Sequence, residues 1–105
     1  MVMVTVRTLP PIEFNLWSYH VDITESDGSG SHSKHKVSME KDYYEKISDG
    51  MIGPEDFVKK SFEFLSKREG KDSILKEFNI NQIKEYFPEY EAEIRKSILE
   101  HTGNV

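Results

Sequence analysis

The hydrophobic pattern changes period near residue 40, and that change constrains the fold more than any other feature of the chain. Before it, apolar residues recur at every second position. Val2, Val4 and Val6 share one face, with Met3, Thr5 and Arg7 on the other. Trp17, Tyr19, Val21 and Ile23 alternate with Ser18, His20, Asp22 and Thr24, and His35, Val37 and Met39 alternate with Lys34, Lys36 and Ser38. A strand with one buried face requires this alternation, and aromatic and β-branched side chains suit a pleated surface. Pro10-Pro11 removes ladder donors after the first run, so a loop or an edge kink belongs there. Glu25–Ser33 carries Asp27-Gly28 and further Gly and Ser, and predicts a loop longer than a tight hairpin. These connections are too short for helical crossovers, so the pattern predicts an antiparallel sheet of about three strands.

After residue 40 the period is helical. Ser38 is a candidate cap for a short helix carrying Tyr43, Tyr44 and Ile47, which stops at Asp49-Gly50. Gly53-Pro54-Glu55-Asp56 opens a second helix, with proline at the first helical position and two acids at the positive end of the dipole. Phe57, Val58, Ser61, Phe62 and Leu65 form its stripe, and Gly70 is its expected stop. A short helix with Ile74, Leu75 and Phe78 is predicted from Asp72 or Ser73. Asn79-Ile-Asn81 breaks it, Asn81 being a candidate cap for a turn through Ile83, Tyr86 and Phe87. Pro88 starts a last helix with Tyr90, Ile94 and Ile98 on one face, and the tail 102–105 is expected to fray. Strands followed by helices predict an α+β fold, a single domain over 1–105, with a sheet part (1–40) covered by a helical part (41–101).

Composition narrows the functions. Leu, Ile, Val and Phe make up 27 of 105 residues, enough for one core, while 31% are charged and the net charge is −5. The charge is spread evenly, −3 over residues 1–53 and −2 over 54–105. Neither half is a basic module built to hold a phosphate backbone or an anionic membrane. There is no cysteine, so disulfides, thiolate metal sites and thiol catalysis are excluded together. No apolar run approaches the roughly 20 residues of a membrane span, and the alternating N-terminus does not read as a signal peptide. The expectation is a cytoplasmic protein.

No set of residues converges on chemistry. His20 and His35 fall on opposite sides of their strands and His32 lies in a loop, so no metal site is expected. Gly28-Ser29-Gly30 precedes a strand rather than a helix, unlike a phosphate cradle. No strained serine motif occurs, and Glu89, Glu91 and Glu93 fan around a helix. The chain is accordingly expected to be non-enzymatic, with no catalytic residues, cofactor or metal. A helix-turn-helix reading of Asp72–Phe87 fails on its charge, since Gln82 and Lys84 run into Glu85, Glu89, Glu91 and Glu93.

The block Phe62-Glu-Phe-Leu-x-x-Arg68-Glu69, Ser73-Ile-Leu75, Phe78, then Ile83-x-x-Tyr86-Phe-Pro-Glu-Tyr-Glu91-x-Glu93-Ile94 resembles a group of short uncharacterised bacterial and archaeal proteins. The resemblance spans about residues 34–95 and is carried most by Tyr86-Phe-Pro-Glu-Tyr90. It implies a small prokaryotic α+β protein and supplies no activity.

What remains is interaction with protein. Aromatics make up 11% of the chain and cluster in its helical part. Phe64 lies off the stripe of its helix, and either meets a second core layer or belongs to an exposed anchor patch. Phe64, Arg68, Glu69 and Tyr90 form the candidate interaction surface, and a protein partner or a homodimer through a free strand edge is expected. The alternative is nucleic-acid binding by a basic strip of Arg7, Lys34 and Lys36.

Overall fold

The computed structural model describes residues 2–25, 32–68 and 73–102. Three long strands come first, β1 (Val2–Glu13), β2 (Leu16–Glu25) and β3 (His32–Glu40). Each pairs antiparallel with the next, Val6 lying opposite Val21 and Tyr19 opposite Val37. The two-residue alternation therefore aligns across strands, and Val21, Ile23, Val37 and Met39 are sealed on one face. Met3, Thr5, Arg7, His20, Asp22, Thr24, Lys34 and Lys36 occupy the other face, exposed or half-buried.

β3 leads into helices α1 (Lys41–Ser48) and α2 (Pro54–Arg68). A short strand β4 (Glu77–Asn79), a 3₁₀ turn (Ile80–Gln82), α3 (Ile83–Tyr86) and α4 (Tyr90–Thr102) follow. The fold is α+β, but the sheet is four-stranded and mixed rather than three-stranded and antiparallel, in the order β1-β2-β3-β4. β4 runs parallel to β3, with Lys36 opposite Glu77 and Ser38 opposite Asn79. α1 and α2 supply the crossover that no connection within the first forty residues could provide.

β4 takes the place of the helix expected around Ile74, Leu75 and Phe78. The Lys36 N–H donates to the Lys76 carbonyl at 2.7 Å, and His35 Nδ1 donates to the Leu75 carbonyl at 2.7 Å. Backbone groups committed to β3 are lost to a local helical ladder. Asp72 and Gly70 lie outside the described residues, as do the glycines of the 25–33 connection and the tail beyond Thr102.

Helix termini follow sequence signals only in part. Pro54 opens α2 as expected, and Asp49 (φ 56°) and Gly50 (φ 71°) end α1 in left-handed backbone. Ser38 does not cap α1, because it stays in β3, where its hydroxyl accepts from Asn79 Nδ2 at 3.0 Å; Glu40 stands at the cap position without a side-chain bond. Asn79, not Asn81, caps the 3₁₀ turn. Its side chain accepts from the Asn81 N–H at 2.9 Å, and its own N–H donates to Gln82 Oε1 at 2.8 Å.

One buried cluster joins sheet and helices, from Val4 in β1 to Ile98 in α4. At its centre Phe62 packs between His35 (centroids 5.4 Å apart) and Phe78 (5.7 Å). Tyr90 is fully buried and donates to Ser61 Oγ at 2.6 Å, while Ser61 donates to the Phe57 carbonyl at 2.9 Å. Both hydroxyls are thus satisfied in the interior, and burial pushes the Tyr90 phenol well above its ordinary range. No helix among the described residues is long and apolar enough to cross a membrane.

Candidate functional site

The helical surface expected from the sequence is largely interior. Phe64 (8% exposed) and Tyr90 (0%) are core residues, which removes them from any docking surface. Phe64 meets a second core layer, edge-on to Phe87 at 5.8 Å and to Tyr90 at 5.3 Å. Its position off the main stripe is explained by α4, which packs against that side. Arg68 is at the surface, but its guanidinium lies 4.0 Å from the Phe64 centroid and its Nε donates to Glu89 at 3.0 Å. The Glu89 carboxyl is held below the usual carboxylate range, first by its own backbone N–H and then by Arg68. Glu69 lies outside the described residues.

His20 and His35 separate as the alternation predicts, but His32, expected in a loop, is the first residue of β3 and pairs with Thr24. His35 is buried in the core face, whereas His20 sits on the open face, 3.2 Å from Asp22 Oδ1. No group of three or more metal-ligating side chains occurs among the described residues. Register also builds a basic row on the open face, because Arg7, His20 and Lys36 are successive cross-strand partners. Lys34 stands two residues along β3, facing Asp22.

Among the described residues the most exposed large apolar side chain stands at the β1–β2 hairpin, while Leu75, Tyr86 and Leu99 are exposed elsewhere. Leu9 pairs with Ser18 and Glu13 with Leu16, so Pro10, Pro11 and Ile12 together stand opposite Trp17 alone. Two prolines cannot donate to a ladder, and the strand bulges there. The bulge leaves Ile12 54% exposed, and the hairpin tip holds Phe14 at 95%. Farther along the same outer strand Met3 is 63% exposed. Nothing in the spacing of Ile12 and Phe14 separates them from core residues; the proline pair between two alternating runs was the available signal.

The inner side of this bulge faces the start of α2 across a cleft of about 470 Å³. Thr8 and Pro11 of β1, Trp17 and Tyr19 of β2, and Glu55 and Asp56 of α2 line it. The Thr8 hydroxyl donates to Glu55 Oε2, tying the first turn of α2 to the edge strand. The Trp17 ring tilts against Tyr44 at 5.7 Å, and Tyr44 is itself anchored by its hydroxyl to the Ile52 carbonyl. A second, mostly apolar cleft of about 330 Å³ lies between Leu65, Phe78, Ile83 and Tyr86, with Ser73 and Gln82 also lining it.

No family model, no curated protein and no solved structure matches this chain.

Proposed function

We propose that the chain is a small, non-enzymatic protein-interaction module that docks its partner on the β1–β2 hairpin and the adjoining edge of the sheet. Phe14 carries the reading. A phenylalanine 95% exposed at a hairpin tip keeps its ring in water at a cost that burial against a partner removes. Ile12 beside it extends the apolar surface, and β1 offers unpaired backbone groups along its outer edge.

Phe14→Ser is expected to weaken partner binding by about 10- to 100-fold, the range of an aromatic hot spot. The melting temperature should not move, because the ring touches little of the folded chain. Native mass spectrometry and sedimentation of wild type and variant, purified from the source cells, measure both effects. Wild type should carry a stoichiometric second chain, a different protein or another copy, and Phe14→Ser should lose it. A wild-type protein that is monomeric and partner-free at every concentration overturns the reading.

A second reading, nucleic-acid binding on the open sheet face, is favoured by one observation, the row of Arg7, His20 and Lys36. Asp22, Glu77 and the net charge of −5 oppose it. It requires retention on a single-stranded nucleic-acid column at low salt, with a shallow salt slope of about two to three released ions, and loss of retention in Arg7→Gln/Lys36→Gln. No retention at low ionic strength removes it.

A further inference from the structure

We infer that the cleft between the β1 bulge and the first turn of α2 receives a basic side chain of a bound protein, arginine in preference to lysine. The inference rests on the interaction-module reading and names the chemistry of the contact.

The lining is aromatic on one side and acidic on the other. Trp17 and Tyr19 project from β2, and Glu55 and Asp56 from α2. Two full negative charges outweigh the fractional positive charge, about half a unit, at the start of a helix, so an anionic ligand is disfavoured. A purely apolar ligand would strip water from both carboxylates without replacing its hydrogen bonds. A guanidinium meets both demands. Its plane stacks on an aromatic face and its edge forks onto a carboxylate, whereas an ammonium offers only a point charge.

Tyr19 adds an independent sign. Its side chain is 98% buried (2% exposed), yet its hydroxyl has no hydrogen-bond partner among the described residues. Ser18 Oγ is the only buried side-chain atom there that is both sealed from solvent and unpaired. The Tyr19 hydroxyl therefore reaches the space that Tyr19 lines, the cleft itself. Burial first, and then the field of Glu55, raises the phenol to about 12, so it remains a neutral hydroxyl able to accept from a bound cation. The site is also built in advance. Thr8 holds Glu55, and the Trp17 ring rests on an anchored Tyr44. Little ordering is left to be done on binding.

Trp17 is the single tryptophan of the chain, so its fluorescence reports on this cleft directly. The probes are Nα-acetyl-arginine amide and its lysine and glutamine counterparts, added to the full-length protein. A saturable change in emission is expected with the arginine probe, a weaker one with lysine, and none with glutamine. Glu55→Gln should weaken the arginine response at least about tenfold, the scale of one charge-assisted hydrogen bond. Glu63→Gln, exposed farther along α2, should leave it unchanged. A glutamine response equal to that of arginine, lysine binding as tightly as arginine, or a Glu55→Gln protein that titrates like wild type overturns the assignment. The probes need no partner, so the two proposals fail separately. If Phe14→Ser releases a partner while the arginine probe does not bind, only the cleft assignment falls. If no partner exists, the module reading falls with its own test.

Discussion

Phe62→Ala is expected to destabilise the protein by about 3–5 kcal/mol, the range for removing a buried phenylalanine ring. Phe62 has no exposed surface and is wedged between His35 of β3 and Phe78 of β4. Its loss opens a cavity where α2 meets the two strands that join in parallel. Small domains hold only about 5–15 kcal/mol in total, so the variant should be partly unfolded at 37 °C. Urea denaturation monitored by circular dichroism measures the change as a lower midpoint at unchanged slope. A loss below about 1.5 kcal/mol, the level of a tolerated hydrophobic swap, would mean that Phe62 is not packed as described.

Acidification should strike at the neighbouring residue. His35 is 2% exposed, and its Nδ1 faces a carbonyl oxygen, which can only accept, so the neutral ring carries its proton on Nδ1. Nε2 is then the acceptor for the Ser33 hydroxyl at 2.8 Å. Burial lowers the pKa of the ring; the Leu75 carbonyl opposes this and Lys76 adds to it. The unfolded chain takes up a proton near the ordinary value of about 6.5, while the folded chain resists it. The unfolded state thus binds more protons in that window, and stability rises with pH through it. The contribution is complete above about pH 6.5 and is lost as pH falls toward the depressed value. His35→Gln should cost about 2–3 kcal/mol at pH 7.5, from lost ring burial and a strained or missing bond to Leu75. At pH 5 its deficit relative to wild type should narrow, because the variant has no ring to protonate. Equal deficits at both pH values would sink the idea.

Much of the sheet was legible because alternation is local. Trp17, Tyr19, Val21 and Ile23 declare their face in seven residues, and the same rule separates His35 from His20. Pro54 with Glu55 and Asp56 marks a helix start by backbone chemistry alone. β4 was hidden for the opposite reason. Glu77-Phe78-Asn79 is too short to show any period, and it is a strand only because β3 offers it an edge. Phe64 illustrates the limit of helical stripes, since a side chain off one stripe can be buried by a helix arriving from elsewhere. The candidate site was less legible still. Its aromatic half lies at residues 17 and 19 and its acidic half at 55 and 56, and only the packing of α2 against β1 brings them together. Glu55 and Asp56 already had a sufficient local role at the helix terminus, which gave no reason to look for another.

The parallel join of β4 to β3 also sets an order of assembly. β1, β2 and β3 are chain neighbours and can zip by short closures, whereas Lys36 meets Glu77 only after both intervening helices have found their places. Long closures are made late. As the chain leaves the ribosome from its N-terminus, the meander exists for some forty residues of synthesis with the outer side of β3 open and its apolar face bare. That is a nascent species prone to pairing with other chains. A three-residue strand at the end of this route acts as a latch. It contributes few bonds, but they cover the middle of the outer edge of β3, from Lys36 to Ser38, once the helices are in place.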